Sequence, residues 1–370
     1  MKKILYISIL NTNENILPFD GVMKKILMHI RVLKGYGNSV DYIESNGVDT
    51  FFVSDGNKTK ICKFIEGGYK YFNRVVINAT KYIVENNIYY DYIYIRHDAF
   101  SFKGFIALSH LYKHSKCIYL EIPTYFVPKT TFKNFVKNFF NKFLYKYVYK
   151  IVINSNEKEI YGIKTLMITN GVEITKIVPR QPTYDKKINV ALVASISAYH
   201  GVDKIINAVE HESQLDNVIF HIAGEGPKFM EYSEKIKNKG LENRIILYGK
   251  LTGEDLDNLY NKCEIGISSL ANKEKGVVFS STIKSKEYLS KGIPVIADVM
   301  LDVFYDNPKY FFYQLVNDFN LKELISFYNS VYEKHNKQDV IDDIREFAER
   351  TCDIKSIMKK LEDDFQQSFC

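Results

Sequence analysis

Apolar and polar positions along the first half of the chain fall into blocks that predict strands and helices in turn. Ile4-Leu5-Tyr6-Ile7-Ser8-Ile9-Leu10 is close to continuous in apolar side chains, as for a strand buried on both faces. A polar loop follows. Gly21-Val22-Met23 then opens a segment whose apolar residues Val22, Ile26, Ile30 and Leu33 recur at helical spacing, and Gly35-Tyr36-Gly37-Asn38 closes it. Ser39–Ile43, Tyr92–Ile95, Lys116–Glu121 and Ile151–Asn154 predict further strands. Residues 178–187 hold Pro179 and Pro182 without apolar periodicity and read as a linker. The rhythm then restarts, with strands at Ile188–Ser195, Asn217–Ala223, Arg244–Tyr248, Glu264–Ser268 and Pro294–Ala297. Helices are predicted between them, near Val202–Val209, Lys228–Asn238, Gly253–Lys262 and Thr282–Leu289, and charged amphipathic helix runs from about Val340 to Phe369. The pattern predicts two doubly wound α/β units, residues 1–177 and 188–345, joined by 178–187, with 346–370 packing back toward the first.

Length agrees: 370 residues suffice for two cores, and 46% hydrophobic against 25% charged residues is ordinary globular composition. The apolar runs are too short for a membrane span. Met1-Lys2-Lys3 before Ile4–Leu10 imitates a signal peptide. The run is short, however, ends in Asn11-Thr12-Asn13 and meets no small-residue cleavage site, so it reads as the first strand. Cys62, Cys117, Cys263, Cys352 and Cys370 are scattered, form no CxxC and have no histidine at ligand spacing. That argues against a disulfide framework or a zinc site and for a cytoplasmic setting. A net charge of +6 suits anionic partners, but the basic residues gather in no nucleic-acid reading module, so no nucleic-acid partner is expected. Tyrosine (28) and phenylalanine (25) read mainly as core and interface filling.

The dinucleotide fingerprint is missing. Gly224-Glu225-Gly226-Pro227 supplies two glycines, Phe229 stands where the third belongs, and there is no Walker lysine loop. What remains is a set of helix N-termini just after strands, where free N–H groups and the helix dipole attract phosphate. These are Gly21, Tyr199-His200-Gly201, and Ser280-Ser281-Thr282 ahead of Lys284 and Glu287. Open α/β sheets bind ligands at the carboxyl ends of their strands. Two such units facing each other would gather these termini round one cleft and hold a diphosphate with no metal. Asp255-Leu256-Asp257 spells the DxD metal motif but falls within a predicted helix, where the two carboxylates diverge.

The order of these pieces resembles glycosyltransferase family 4, the retaining enzymes of GT-B fold. The series runs Val190–Ser197, His200-Gly201-Val202-Asp203, Ile222-Ala223-Gly224-Glu225-Gly226-Pro227, Leu247-Tyr248-Gly249-Lys250-Leu251 and Lys284–Ala297. In the first half Gly21–Ile26, Tyr94-Ile95-Arg96, Glu121-Ile122-Pro123-Thr124-Tyr125 and Thr169-Asn170-Gly171-Val172-Glu173 are similar to bacterial members that build capsules and O-antigens. The resemblance implies two Rossmann-like domains facing across a cleft, the first on the acceptor side and the second binding the nucleotide sugar. It implies that Glu287 binds the donor ribose as the second glutamate of E-x7-E, and that Ser281, Thr282 and Gly21 approach the diphosphate through backbone. Gly249, Lys250 and Leu251, beside Tyr248, lie where the nucleobase rests; Gly201 and Gly224 belong to the same donor site. His200 stands where many members have lysine.

The chain departs from that pattern in three places. The first glutamate of E-x7-E falls on Phe279, and Glu274 serves only if the loop is longer. The usual arginine falls near Ser195, which leaves His200, Lys284 or Arg96 to supply positive charge. The usual first-domain histidine has no clear counterpart, and His97 and Glu121 are the candidates. Plainer readings stand beside these. Lys284 and Glu287 are three apart and suit a surface salt bridge, His200 suits a helix cap, and Gly224–Pro227 and Asn170-Gly171 suit turns. Residues 132–150 are basic and aromatic without an acidic residue; they suit either the inner surface of an anionic membrane or a core helix with solvated lysines. The expectation is a cytoplasmic, metal-independent hexosyltransferase that uses no cofactor and is peripheral on the inner membrane face if 132–150 binds there. It would move a sugar from a nucleoside diphosphate sugar to a lipid-linked oligosaccharide. A GT-B nucleotide-sugar epimerase and a non-catalytic sugar-binding scaffold are the alternatives.

Overall fold

The computed structural model describes residues 1–11, 21–65, 68–97, 100–122, 139–333 and 335–367. Pro123-Thr124-Tyr125, 132–138, Asp98 and Cys370 therefore lie outside the described residues. The chain forms two compact units, Met1–Thr169 with Ile357–Cys370, and Asn170–Ser356. The division falls at 169/170 rather than at 178–187. The proline-bearing stretch is pinned to the second unit because Arg180 is buried. Its backbone N–H donates to the Lys291 carbonyl (3.0 Å) and its guanidinium to the Tyr332 hydroxyl (2.9 Å). Lys337 Nζ holds the Thr183 carbonyl (2.6 Å) beside it. The terminal helical segment is likewise shared: Lys337–Thr351 belongs to the second unit, and residues from Ile357 belong to the first.

The first unit is built on β1 (Lys3–Asn11), β2 (Ser39–Ser45), β3 (Asp49–Ser54), β4 (Asn57–Lys63), β5 (Tyr90–Arg96), β6 (Ser115–Glu121), β7 (Lys150–Ile153), β8 (Glu159–Ile160) and β9 (Ile163–Met167). Their order in the sheet is β4-β3-β2-β1-β5-β6-β7-β9-β8, with β2, β1, β5, β6, β7 and β9 parallel. Helices α1 (Gly21–Gly35), α2 (Gly68–Glu85) and α3 (Phe102–Lys113) connect them. Of the predicted α1 stripe Ile26, Ile30 and Leu33 are buried, while Val22 is exposed.

Because strand side chains alternate, the two faces of this sheet differ. Leu5, Ile7, Ile93, Ile95, Ile118 and Leu120 join an aliphatic core with α2 and α3 residues such as Val75, Ala79 and Leu108. Tyr6, Tyr92, Tyr94 and Tyr119 are equally buried, and each buried hydroxyl needs a partner. Tyr92 donates to the Phe365 carbonyl and Tyr119 to Asp364 (2.8 Å), both on the last helix, Ile354–Gln367. Tyr6 meets His29 Nδ1 (3.1 Å), and Tyr94 donates to Glu121 (2.9 Å).

Glu121 ends β6 in full burial. It accepts from Lys25 Nζ of α1 (2.7 Å) and Arg96 Nε at the end of β5 (3.2 Å) as well as from Tyr94. Burial pushes its carboxyl up, but the Lys25 and Arg96 charges outweigh that and hold it well below the ordinary carboxylate range.

The second unit is all parallel. β10 (Ile188–Val193), β11 (Val218–Ala223), β12 (Ile245–Leu247), β13 (Ile265–Ile267), β15 (Val295–Ala297) and β17 (Tyr313–Leu315) lie in the order β12-β11-β10-β13-β15-β17. β14 (Phe279–Ser280) and β16 (Met300–Leu301) pair separately. Strand order reverses between β10 and β13, the switch point where α/β sheets open to ligands. There the Val193 N–H donates to the Tyr288 hydroxyl (2.8 Å), which reaches the Ile267 carbonyl (3.4 Å). Gly266 makes room for that ring, since a Cβ there would come within 2.5 Å of it. The strand-end loops approach so closely that glycine is required. A Cβ on Gly224 (φ 128°) would sit 1.8 Å from the Ala194 carbonyl oxygen, and one on Gly226 2.4 Å from that of Ile196.

Two outcomes test this account. Glu121→Gln should destabilise the protein by about 3 kcal/mol at pH 7, because it leaves buried cations unmatched. Since the folded pKa is depressed, wild-type stability from this group is present above pH about 4.5 and lost as pH falls toward the folded value; denaturant titrations should show the two proteins converging in acid. Gly224→Ala should lower stability by about 2 kcal/mol or more, read as a shift in the urea midpoint at unchanged slope.

Candidate functional site

Most of the residues singled out in the sequence lie on loops and helix starts along the carboxyl edge of the second sheet. Gly201 (φ 73°) caps the helix Val202–His211 with no side-chain hydrogen bond. Thr282 starts the helix Ile283–Ser290, and its hydroxyl also gives no cap, being engaged by Ser285 (2.5 Å) and Ser268 (3.3 Å). Neither cap side chain thus satisfies the first-turn amides. Ser195 is exposed in the loop after β10. Gly224 follows β11, and its N–H donates to the Gly249 carbonyl (2.6 Å), which aligns that loop with Tyr248, Gly249, Lys250 and Leu251 after β12.

Lys284, in the first turn of its helix, is half-buried, with Nζ 3.4 Å from Ser269 Oγ. Burial pushes its pKa down to about 7, and the Asp298 charge opposes this only in part. Asp298 makes no hydrogen bond to it; its oxygens accept from Asn272 Nδ2 (3.2 Å) and the Lys273 N–H (3.0 Å). Glu287 is half-buried one turn on, where the Tyr260 hydroxyl donates to Oε2 (2.9 Å). Burial and the nearby Glu287 charge push the Tyr260 phenol far up, so it remains a donor. Lys284 and Glu287 form no ion pair with each other among the described residues, so the surface salt bridge is not what places them.

His200 is buried as a cap. Its Nδ1 accepts from the Ser197 N–H (3.2 Å) and lies 3.1 Å from Ser197 Oγ. Ser281 is drawn into a buried cluster: it donates to Asp302 (2.9 Å), which also pairs with Lys286 (2.6 Å), and it accepts from the Asn170 N–H (3.0 Å). Glu274 is exposed and paired with Lys204 (2.8 Å). Asp255 and Asp257 lie on the helix Gly253–Lys262, and Asp257 pairs with Lys291 (2.7 Å).

In the first unit Gly21 begins α1. His97 follows β5; its ring stacks on Phe72 (centroids 3.9 Å apart) and its N–H donates to the Glu121 carbonyl (2.9 Å). Glu121, as described, is a fully engaged anion. Its lowered pKa suits holding Lys25 and Arg96 rather than exchanging a proton near neutrality.

Sequence reasoning missed Tyr260, Asp298, and Ser268 and Ser269. The serines had a signal, for they directly follow a strand at the same sheet edge as Ser195. Tyr260 had none, since its partner lies 27 positions away.

Residues 173–299 match the family of glycosyl transferases group 1. No curated protein matches the chain in sequence. The fold is similar to a glycosyltransferase from Rickettsia africae (TM-score 0.69, 16% identity, 100% of this chain and 98% of that one). It is also similar to sucrose-phosphate synthase from Thermosynechococcus elongatus (0.69, 13%, 100% and 99%) and to Anabaena HepE in complex with UDP and glucose (0.61, 14%, 99% and 100%). The chain has the GT-B fold, and the match to glycosyl transferases group 1 lies within its second unit.

Proposed function

We propose that the protein is a retaining glycosyltransferase that moves a hexose from a nucleoside diphosphate sugar to a lipid-linked glycan in surface-polysaccharide assembly, without a metal ion. The observation that carries the reading is the pairing, within the matched region 173–299, of two side-chain-uncapped helix N-termini with Lys284 and Glu287 at the switch point. The similar fold of HepE, whose structure is a complex with UDP and glucose, supports a uridine diphosphate donor. The similar fold of the lipopolysaccharide outer core galactosyltransferase WaaB supports a glycan acceptor.

In this reading the amides that open the helices Val202–His211 and Ile283–Ser290 receive the diphosphate, and Lys284 meets the charge that grows on it as the glycosidic bond breaks. The His200 ring, through its bond to the Ser197 N–H, fixes the turn that aims the first of these helices. Glu287, steadied by Tyr260, accepts from the ribose hydroxyls. Lys284 suits its role because among the described residues no carboxylate forms an ion pair with it: an arriving dianion raises its pKa and the site takes up a proton.

Two outcomes follow. Glu287→Gln should weaken UDP-sugar binding about tenfold in calorimetry, and Lys284→Met should slow transfer by about 10²–10³. Because Lys284 titrates near pH 7, wild-type UDP affinity should fall above that pH by up to about tenfold per unit, while Lys284→Met stays flat. Absence of any thermal shift with UDP or GDP sugars would sink the donor reading, and an isomerised donor formed without acceptor would make the enzyme an epimerase.

A further inference from the structure

We propose that one face of the first unit, formed by α3 and the 3₁₀ helix Phe139–Lys146, is a docking surface for a bilayer of anionic phospholipid. α3 buries Ala107, Leu108 and Leu111 and turns Phe102 (61% exposed), Ile106 (41%) and Lys103 outward. The 3₁₀ helix buries Leu144 and turns out Tyr145 (56%), Lys142 and Lys146. Ring contacts fuse the two segments into one surface: Phe140 meets Phe102 (5.7 Å) and Phe105 (5.6 Å), and Tyr147 meets Phe105 (5.4 Å). Ser101 caps α3 through the Gly104 N–H, so the face is presented by a fixed element.

Charge identifies the occupant. From Ser101 to Lys150 the sequence carries nine lysines, no arginine and a single carboxylate residue, Glu121, which is buried. An exposed aromatic and aliphatic surface that carries lysines, and whose two segments themselves contain no carboxylate residue, matches the boundary between acyl chains and anionic headgroups. A second copy is disfavoured, because a two-fold contact would set lysines against lysines. No helix among the described residues is long and apolar enough to cross a membrane. The proposal bears on the lipid-linked acceptor and does not depend on the donor assignment.

The test is co-sedimentation of the full chain with phosphatidylglycerol–phosphatidylcholine vesicles and with phosphatidylcholine alone. Binding should require phosphatidylglycerol and weaken with added salt. Each lysine near an anionic surface contributes about fivefold, so Lys142→Glu with Lys146→Glu should reduce binding more than tenfold. Ile106→Ser should reduce it severalfold, with the thermal melt unchanged in both variants. Equal binding to neutral vesicles, full binding by the charge-reversed protein, preference for a single-stranded RNA oligonucleotide, or self-association abolished by Ile106→Ser would each overturn the proposal. Because the readout is vesicle binding, loss of nucleotide affinity leaves it untouched.

Discussion

The Tyr288 hydroxyl governs the second unit. β10 and β13 pair only at Val190–Ile265 and Ala191–Gly266, so the next amide of β10 on the β13 side, that of Val193, needs a partner as the strands part. A buried backbone N–H left bare would cost on the order of a lost hydrogen bond. Tyr288 supplies the acceptor and reaches toward the Ile267 carbonyl on the other side. That fixes the rotation of the helix Ile283–Ser290 about its own axis. Glu287 is the preceding residue and Lys284 lies one turn back, so a single buried hydrogen bond sets where both point. Gly266 is part of the same constraint, for any side chain there would displace the ring.

The first unit meets the equivalent problem with charge. The last residues of β5 and β6, Arg96 and Glu121, come together there with Lys25 on α1, and Tyr94 completes the set. His29, buried above Tyr6, is pushed down to about 3 by burial and by Lys25, so it joins the cluster as a neutral ring. The abundance of tyrosine thereby gains a reason. One face of this sheet is aromatic and hydroxyl-bearing, and the last helix returns to the unit with Asp364 and the Phe365 carbonyl to satisfy it.

What was legible in the sequence was local. The runs at Ile4–Leu10 and Ile188–Ser195 became β1 and β10 within one or two residues at each end, and Gly253–Lys262 is the helix expected, because burial on both faces and helical spacing are written in neighbouring residues. The β3–β4 hairpin has a signal in Asp55-Gly56, both at positive φ, that a reading for parallel strands passes over. Proline and lost periodicity mark 178–187 as a linker, whereas in the fold Arg180 docks through residues more than a hundred positions away and the contact division falls at 169/170. For the same reason the helix N-termini of the site could be located and Tyr260, Tyr288 and Asp298 could not.

The two lysines of the Ile283–Ser290 helix show how position separates structure from function. Lys286 is fully buried, and its charge is matched by Asp302 and by the Asn170 carbonyl. Two residues earlier, roughly 200° round the helix, Lys284 is half-buried beside a serine hydroxyl, and the carboxylate whose charge acts on it, Asp298, is occupied by Asn272 and Lys273. The first charge is satisfied whether or not anything binds. The second costs the folded chain some stability in every empty molecule, as its lowered pKa records. A group held in that state is relieved by an anion at the helix start, and that difference, rather than the number of lysines nearby, distinguishes the binding lysine from the structural one.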